Sequence, residues 1–308
     1  MGRKDLAGKE FFADRERFAE LMNVILYRGE DVVRAQNLIR MERAYPSPLR
    51  DGEKSRDVLM KDTGQNICYG LELETEADYR MPERVLSYDV CEWETQIREI
   101  GKQRDREEMD YRDKKSRLRL EDSLMPVVTV VLYLGGGHWQ GSRRLSELFS
   151  ISPQSRKRLN DLLPDYGFPL AEADYVDAGI CKTDLREFFH AMQCRTDKGK
   201  LRALLHTERF SNLKEETEWA IAVYLDRKHL IKKMKQEGIG MCQALDELME
   251  DKKQEGKREG KREGRLAGRK EEKRVIISRM LQEGMDKALI RRVTDCTEAE
   301  VELAAGRS

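Results

Sequence analysis

Hydrophobic and polar positions along this chain change period several times, and each change predicts an element. Near the start, Phe11, Phe18, Leu21, Met22 and Ile25 recur at near-helical spacing. They predict helical structure through the first 45 or so residues, with Asp14 as an N-cap. Residues 55–82, SRDVLMKDTGQNICYGLELETEADYRMP, instead read as a β-hairpin whose turn is supplied by Asp62-Thr63-Gly64-Gln65. A turn centred on Thr63-Gly64 sets Asp57 opposite Gly70. Period-two alternation then sends Asp57, Glu72 and Glu74 to one face and Ile67, Tyr69, Leu71 and Leu73 to the other.

A helix is predicted to open at Met81-Pro82, where proline suits the first turn. Leu86, Val90, Trp93, Ile97 and Ile100 form its apolar stripe, expected to pack on the sheet. Residues 101–123 are dense in charge and read as an exposed helix or a mobile insertion. The β-branched run Pro126 to Tyr133 lacks alternation, as a strand buried on both faces does. Further helices and a short strand, FPLAEADYVD, are expected between about 143 and 230. Strand, strand, helix, strand predicts an α/β core with helices on its faces.

The C-terminal part adds a different pattern. Gly256, Gly260, Gly264 and Gly268 recur every four residues among Lys, Arg and Glu. On a helix they form a drifting glycine stripe that needs a partner, because interior glycine is a poor helix former; the other reading is a flexible charged linker. Beyond it, Gly284 stops one helix, Asp286 starts the next, and Thr297 with Glu300 forms a capping box on a third. The spacing is loosely that of a helix-turn-helix, but Glu298, Glu300 and Glu302 would meet phosphates with like charge, so this unit reads as structural or oligomeric. The expected division is 1–230, a charged linker 231–274, and a helical element 275–308.

Composition narrows the class. The chain has 308 residues, 39% hydrophobic and 38% charged, enough for a core beneath a densely ionic surface. Net charge is zero, so no global field attracts a polyanion, yet residues 251–274 hold 11 Lys or Arg against 6 Asp or Glu. Six cysteines without a CxxC pair predict free thiols in a reducing, cytoplasmic setting, and no apolar run is long enough for a membrane span.

Candidate chemistry centres on the hairpin acids. Under the predicted register Asp57 and Glu72 are diagonal neighbours, roughly 7–8 Å apart at the backbone. Carboxylates so placed can converge on one oxygen-liganded cation. Acids on the outer face of a strand are also commonly just solvated, and spacing alone does not separate the two readings. In the loop GGGHWQG at 135–141 no GK[ST] follows the glycines, which excludes a phosphate loop; Trp139 is expected to anchor it, with His138 and Trp139 as the other candidates for DNA contact. His190 and His206 stand alone, without ligand spacing.

The segment GLELETEADYRMPERVLSYD, preceded by RDV at 56–58, resembles the recombination-promoting nuclease / putative transposase family, within the PD-(D/E)XK nucleases. KDLAGKEFFADRERFAELMNVILYRGE, MPVVTVVLYLGGGHWQG and the EGKREGKREG tail agree, so the resemblance spans nearly the whole chain. It implies a restriction-endonuclease-like core, a central mixed sheet flanked by helices, with an α-helical C-terminal extension. It also implies a Mg²⁺- or Mn²⁺-dependent DNA endonuclease of low sequence specificity. In this resemblance Asp57 and Glu72 match the metal-binding acids, and Glu74 falls where the superfamily places Lys and many family members Gln. Arg84, in the first turn of the following helix, is a candidate phosphate contact or a partner of Glu83 or Asp89. Glu20 is a candidate accessory acid or an exposed helix charge. The rival reading is a catalytically weak homologue that binds DNA or self-assembles, with the C-terminal region as the oligomer surface.

Overall fold

The computed structural model describes residues 3–46, 53–54, 56–104, 116–225, 232, 234, 236–237 and 240–305. The predicted insertion at 101–123 therefore lies partly outside the described residues. Two compact units form, Met1–Cys242 and Gln243–Ser308.

The first unit is α/β. Its helices are α1 (Arg3–Phe12), α2 (Arg15–Tyr27), α3 (Met81–Arg104), α4 (Pro153–Leu159), α5 (Leu185–Gln193), α6 (Lys198–Leu205), α7 (Glu208–Ser211) and α8 (Glu215–Tyr224). The strands are β1 (Leu38–Arg40), β2 (Tyr45–Pro46), β3 (Glu53–Lys54), β4 (Val58–Asp62), β5 (Ile67–Glu74), β6 (Val127–Tyr133) and β7 (Leu170–Glu172). Five of them make a mixed sheet in the order β1-β4-β5-β6-β7, and β2 and β3 pair as a separate ribbon. The β1-β4-β5 pairings are antiparallel and the β5-β6-β7 pairings parallel. β5 is thus the junction between the two regimes, hydrogen-bonded on both edges, with α3 forming the crossover to β6.

Asp14 caps α2, its carboxylate accepting from the amides of Glu16 at 3.1 Å and Arg17 at 3.0 Å. The helix ends at Tyr27, where Arg28 (φ 55°) and Gly29 (φ 87°) turn left-handed. The first 45 residues are therefore not helical throughout: β1 adds an edge strand to β4. Its three residues bury only Leu38, too short a run to show a period.

The hairpin differs in detail from the predicted one. Val58 pairs with Leu71 and Asp62 with Ile67, leaving Thr63 to Asn66 as a four-residue loop. Asp62 Oδ1 accepts from the amides of Gly64 (2.8 Å) and Gln65 (3.1 Å), and Asn66 takes φ 55°. This Asx turn is longer than the two-residue turn expected. The register moves by two residues and the faces survive. Continued one step, the ladder sets Asp57 opposite Glu72 rather than opposite Gly70.

Helix α3 departs most from expectation. The residues it buries are Met81, Pro82, Val85, Tyr88, Asp89, Glu92 and Gln96, whereas Val90 is exposed and Leu86, Trp93, Ile97 and Ile100 are only half-buried. A polar stripe faces the sheet because each member meets a partner there. Glu92 accepts from Tyr45 Oη at 2.7 Å, and Gln96 accepts from the Met125 amide at 2.8 Å. Asp89 accepts from Arg56, from Tyr166 and, at 2.8 Å, from Thr129 Oγ1.

The second unit is built from α9 (Met241–Gln282), α10 (Lys287–Thr294) and α11 (Glu298–Ala305), so the charged segment is helical. Ile277, Ile290, Cys296, Val301 and Ala304 make its core. Gly284 (φ 78°) ends α9, Asp286 caps α10 through the Ala288 amide, and the Thr297–Glu300 box is present in both directions. A methyl group added at Gly260, Gly264 or Gly268 would meet nothing within 4 Å. Among the described residues no helix is long and apolar enough to cross a membrane.

Candidate active site

The three hairpin acids gather where β5 leaves the sheet, between α1 and α3. Glu72 and Glu74 share the β5 face that looks toward α3, and Arg84 from the first turns of α3 reaches both. Its Nη2 lies 2.5 Å from Glu72 Oε2 and its Nη1 2.7 Å from Glu74 Oε1. Asp57, one residue before β4, accepts from the Leu73 amide at 2.8 Å and pairs with Lys9 Nζ of α1 at 3.1 Å. The acid face is therefore not solvated: α3 covers it.

Burial sets the electrostatics. Glu72 is fully buried, and desolvation pushes its carboxyl up to about 8, against the pull of Arg84 and with a further push from Asp57. Burial also raises Glu74, again opposed by Arg84. The Arg84 guanidinium is held above its ordinary range because the Glu72 and Glu74 charges outweigh its own desolvation. Glu72 Oε1 has no hydrogen-bond partner. That buried, open acceptor sits beside Asp57 and Glu74, and an all-oxygen donor set of this kind suits Mg²⁺ or Mn²⁺. Among the described residues no three His, Cys, Asp or Glu side chains converge on a single ligand point. The carboxylates are drawn instead to Arg84 and Lys9.

Gly70, on the same face as Glu72, lets the buried Arg56–Asp89 pair approach the strand: a Cβ there would lie 2.7 Å from Thr129 Oγ1 and 2.9 Å from Arg56 Cδ. Sequence reasoning missed Lys9 and Arg56. Each meets its acid across a large sequence separation, and no local pattern marks such a pair.

The remaining candidates lie elsewhere. Glu20 accepts from the Lys182 amide (2.5 Å), the Thr183 amide (3.0 Å) and Thr183 Oγ1 (2.5 Å), which ties α2 to the start of α5 rather than to the acid cluster. Trp139 is buried edge-on against Tyr133 and Phe168, so it anchors the loop and offers no face to a base. His138 stacks on Tyr175 at 4.3 Å and contacts Glu172 at 3.2 Å. His190 is half-buried on α5, where burial and Arg186 lower its pKa.

Compared with protein-family models, curated proteins and solved structures, the chain matches none of them.

Proposed function

We propose that this chain is a metal-dependent DNA endonuclease of the recombination-promoting, transposase-like kind, its α/β unit a restriction-endonuclease-like core. The observation that carries this reading is the buried Glu72 carboxyl with one open oxygen, flanked by Asp57 and Glu74 at the end of a central strand. Such a group is costly to bury unless something occupies its free lone pairs.

Asp57 and Glu72 are the residues that would hold Mg²⁺ or Mn²⁺, which when bound polarises a phosphate oxygen and lowers the pKa of water. Glu74 fixes Arg84, and Arg84 brings to the acid cluster the positive charge that the side chain at position 74 does not carry. With its guanidinium partly exposed, Arg84 is also placed to contact a phosphate. Lys9 balances Asp57 from the opposite side.

A plasmid-nicking assay tests the proposal. Cleavage is expected with Mg²⁺, absent with EDTA, and lowered at least a hundredfold, on the order of the ligand's share in catalysis, in Asp57→Ala and Glu72→Ala. Full activity in either variant overturns the assignment. A folded protein that binds DNA and never cuts it supports the second reading, a DNA-binding or self-assembling module, which the engagement of Glu72 and Glu74 by Arg84 favours.

A further inference from the structure

Two neighbouring cavities lie on the β1 side of the sheet, and the first reaches the acid cluster at Asp57. One, of about 280 Å³, is lined by Lys9, Arg40, Arg43, Arg56 and Asp57 among others. The next, of about 330 Å³, includes Arg98 and Lys102 from the second half of α3. They share the wall Glu42 to Tyr45, so together they form one groove that starts at Asp57 and runs out along α3. Six cations line it, against Glu42, Asp57 and Glu99.

We propose that this groove takes the phosphodiester backbone of a nucleic-acid strand. The role of its inner end at Asp57 rests on the endonuclease reading, but the binding does not. Its cations are set in two layers. Arg43 is fixed by Glu99 at 2.6 and 3.2 Å and lies 3.6 Å from the buried Glu92, so its direction is determined before any ligand arrives. Arg56 is held by Asp89 at the base, with two buried N–H donors, at Nε and Nη1, left without partners. Arg40 and Lys102 are exposed, and Arg40 forms no ion pair among the described residues. Arg98 and Lys102, one turn apart on α3, mark the outer end of the groove and Asp57 its inner end. A linear polyanion fits a linear cationic groove ending at acids; a compact anion would leave most of it empty.

The test measures binding apart from cleavage. Fluorescence anisotropy in EDTA would follow labelled 12-nucleotide DNA, single-stranded and duplex, together with the matching RNA, across a salt series. Arg40→Glu with Lys102→Glu is expected to weaken binding at least tenfold and to flatten the salt dependence by about two phosphate contacts. Arg40→Gln with Lys102→Gln should give a smaller loss in the same direction, and circular dichroism establishes that both variants fold. Asp57→Ala, which removes a negative charge from the inner end, should bind as tightly as the parent or tighter. Unchanged affinity and salt slope in the charge-reversed protein overturn the groove even if the parent cuts DNA. Binding lost on charge reversal, in a protein that never cuts, upholds the groove and rejects the endonuclease. A parent protein that binds none of the oligonucleotides at low salt rejects both.

Discussion

The two faces of β5 solve burial in opposite ways. Tyr69 and Leu71 are buried and Leu73 lies against Gly8 of α1, while the Tyr69 hydroxyl is hydrogen-bonded at 2.7 Å to that of Tyr27 on α2. Cys68, Gly70, Glu72 and Glu74 meet α3, whose buried stripe carries Asp89, Glu92 and Gln96. One face is held by the hydrophobic effect and tolerates exchange of one apolar side chain for another of similar volume. The other is held by charges that must each find their own partner, and losing one member strands the other in a low-dielectric interior. The polar face is the one on which the proposed cation and phosphate chemistry would rest, and its cost in stability is set by the completeness of its pairing.

The sharpest way to break this contrast is Asp89→Ala. It leaves Arg56 buried without a counter-charge and should destabilise the first unit by about 3–5 kcal/mol, read from urea unfolding. Arg56→Met combined with Asp89→Leu should recover most of that loss, since replacing a buried pair by apolar groups is often neutral. If Asp89→Ala costs no more than a surface substitution, the polar face is wetter than its burial implies.

A second test uses pH. The folded Glu72 carboxyl keeps its proton up to about pH 8, whereas a free glutamate releases it near 4.5. Its contribution to stability is therefore full below 4.5 and is lost as pH rises through 8, at up to about 1.4 kcal/mol per unit between those values. Unfolding free energies in EDTA buffers should fall across that window, and Glu72→Gln should flatten the fall. A slope that is the same in both proteins removes Glu72 as its source.

The smallest expected effect lies on the apolar face. Tyr69→Phe removes one hydroxyl pair and should cost about 1 kcal/mol, with no change in the pH profile. A larger cost, or a shifted profile, would mean that the two faces are coupled through β5.

The sequence showed what depends on near neighbours. The parity that puts Glu72 and Glu74 on one face, the Asp14 cap, the proline at the start of α3, the doubly buried β6 and the Thr297–Glu300 box all follow from contacts within a few residues. What depends on distant partners was not legible. The stripe Leu86, Val90, Trp93, Ile97 and Ile100 looked like the packing face of α3, yet Asp89 and Glu92 are buried more deeply, because Arg56, Tyr45 and Tyr166 wait for them elsewhere in the chain. The turn register slipped by two for a local reason: Asp62 folds its side chain into the loop and lengthens it. That shift brought Asp57 directly opposite Glu72, closer than the diagonal placement the two-residue turn implied.

Asp89 also has a history in time. Its partners come from Arg56 before it, Thr129 well after it and Tyr166 later still. A ribosome delivers these in order, so for much of synthesis the Arg56–Asp89 pair has no β6 beside it and stays accessible to water. Its desolvation is completed only once the chain has grown past residue 166, by which point β6 is in place and β7, at Leu170–Glu172, is about to close the sheet. The burial of Asp89 is deferred until the chain that satisfies it exists.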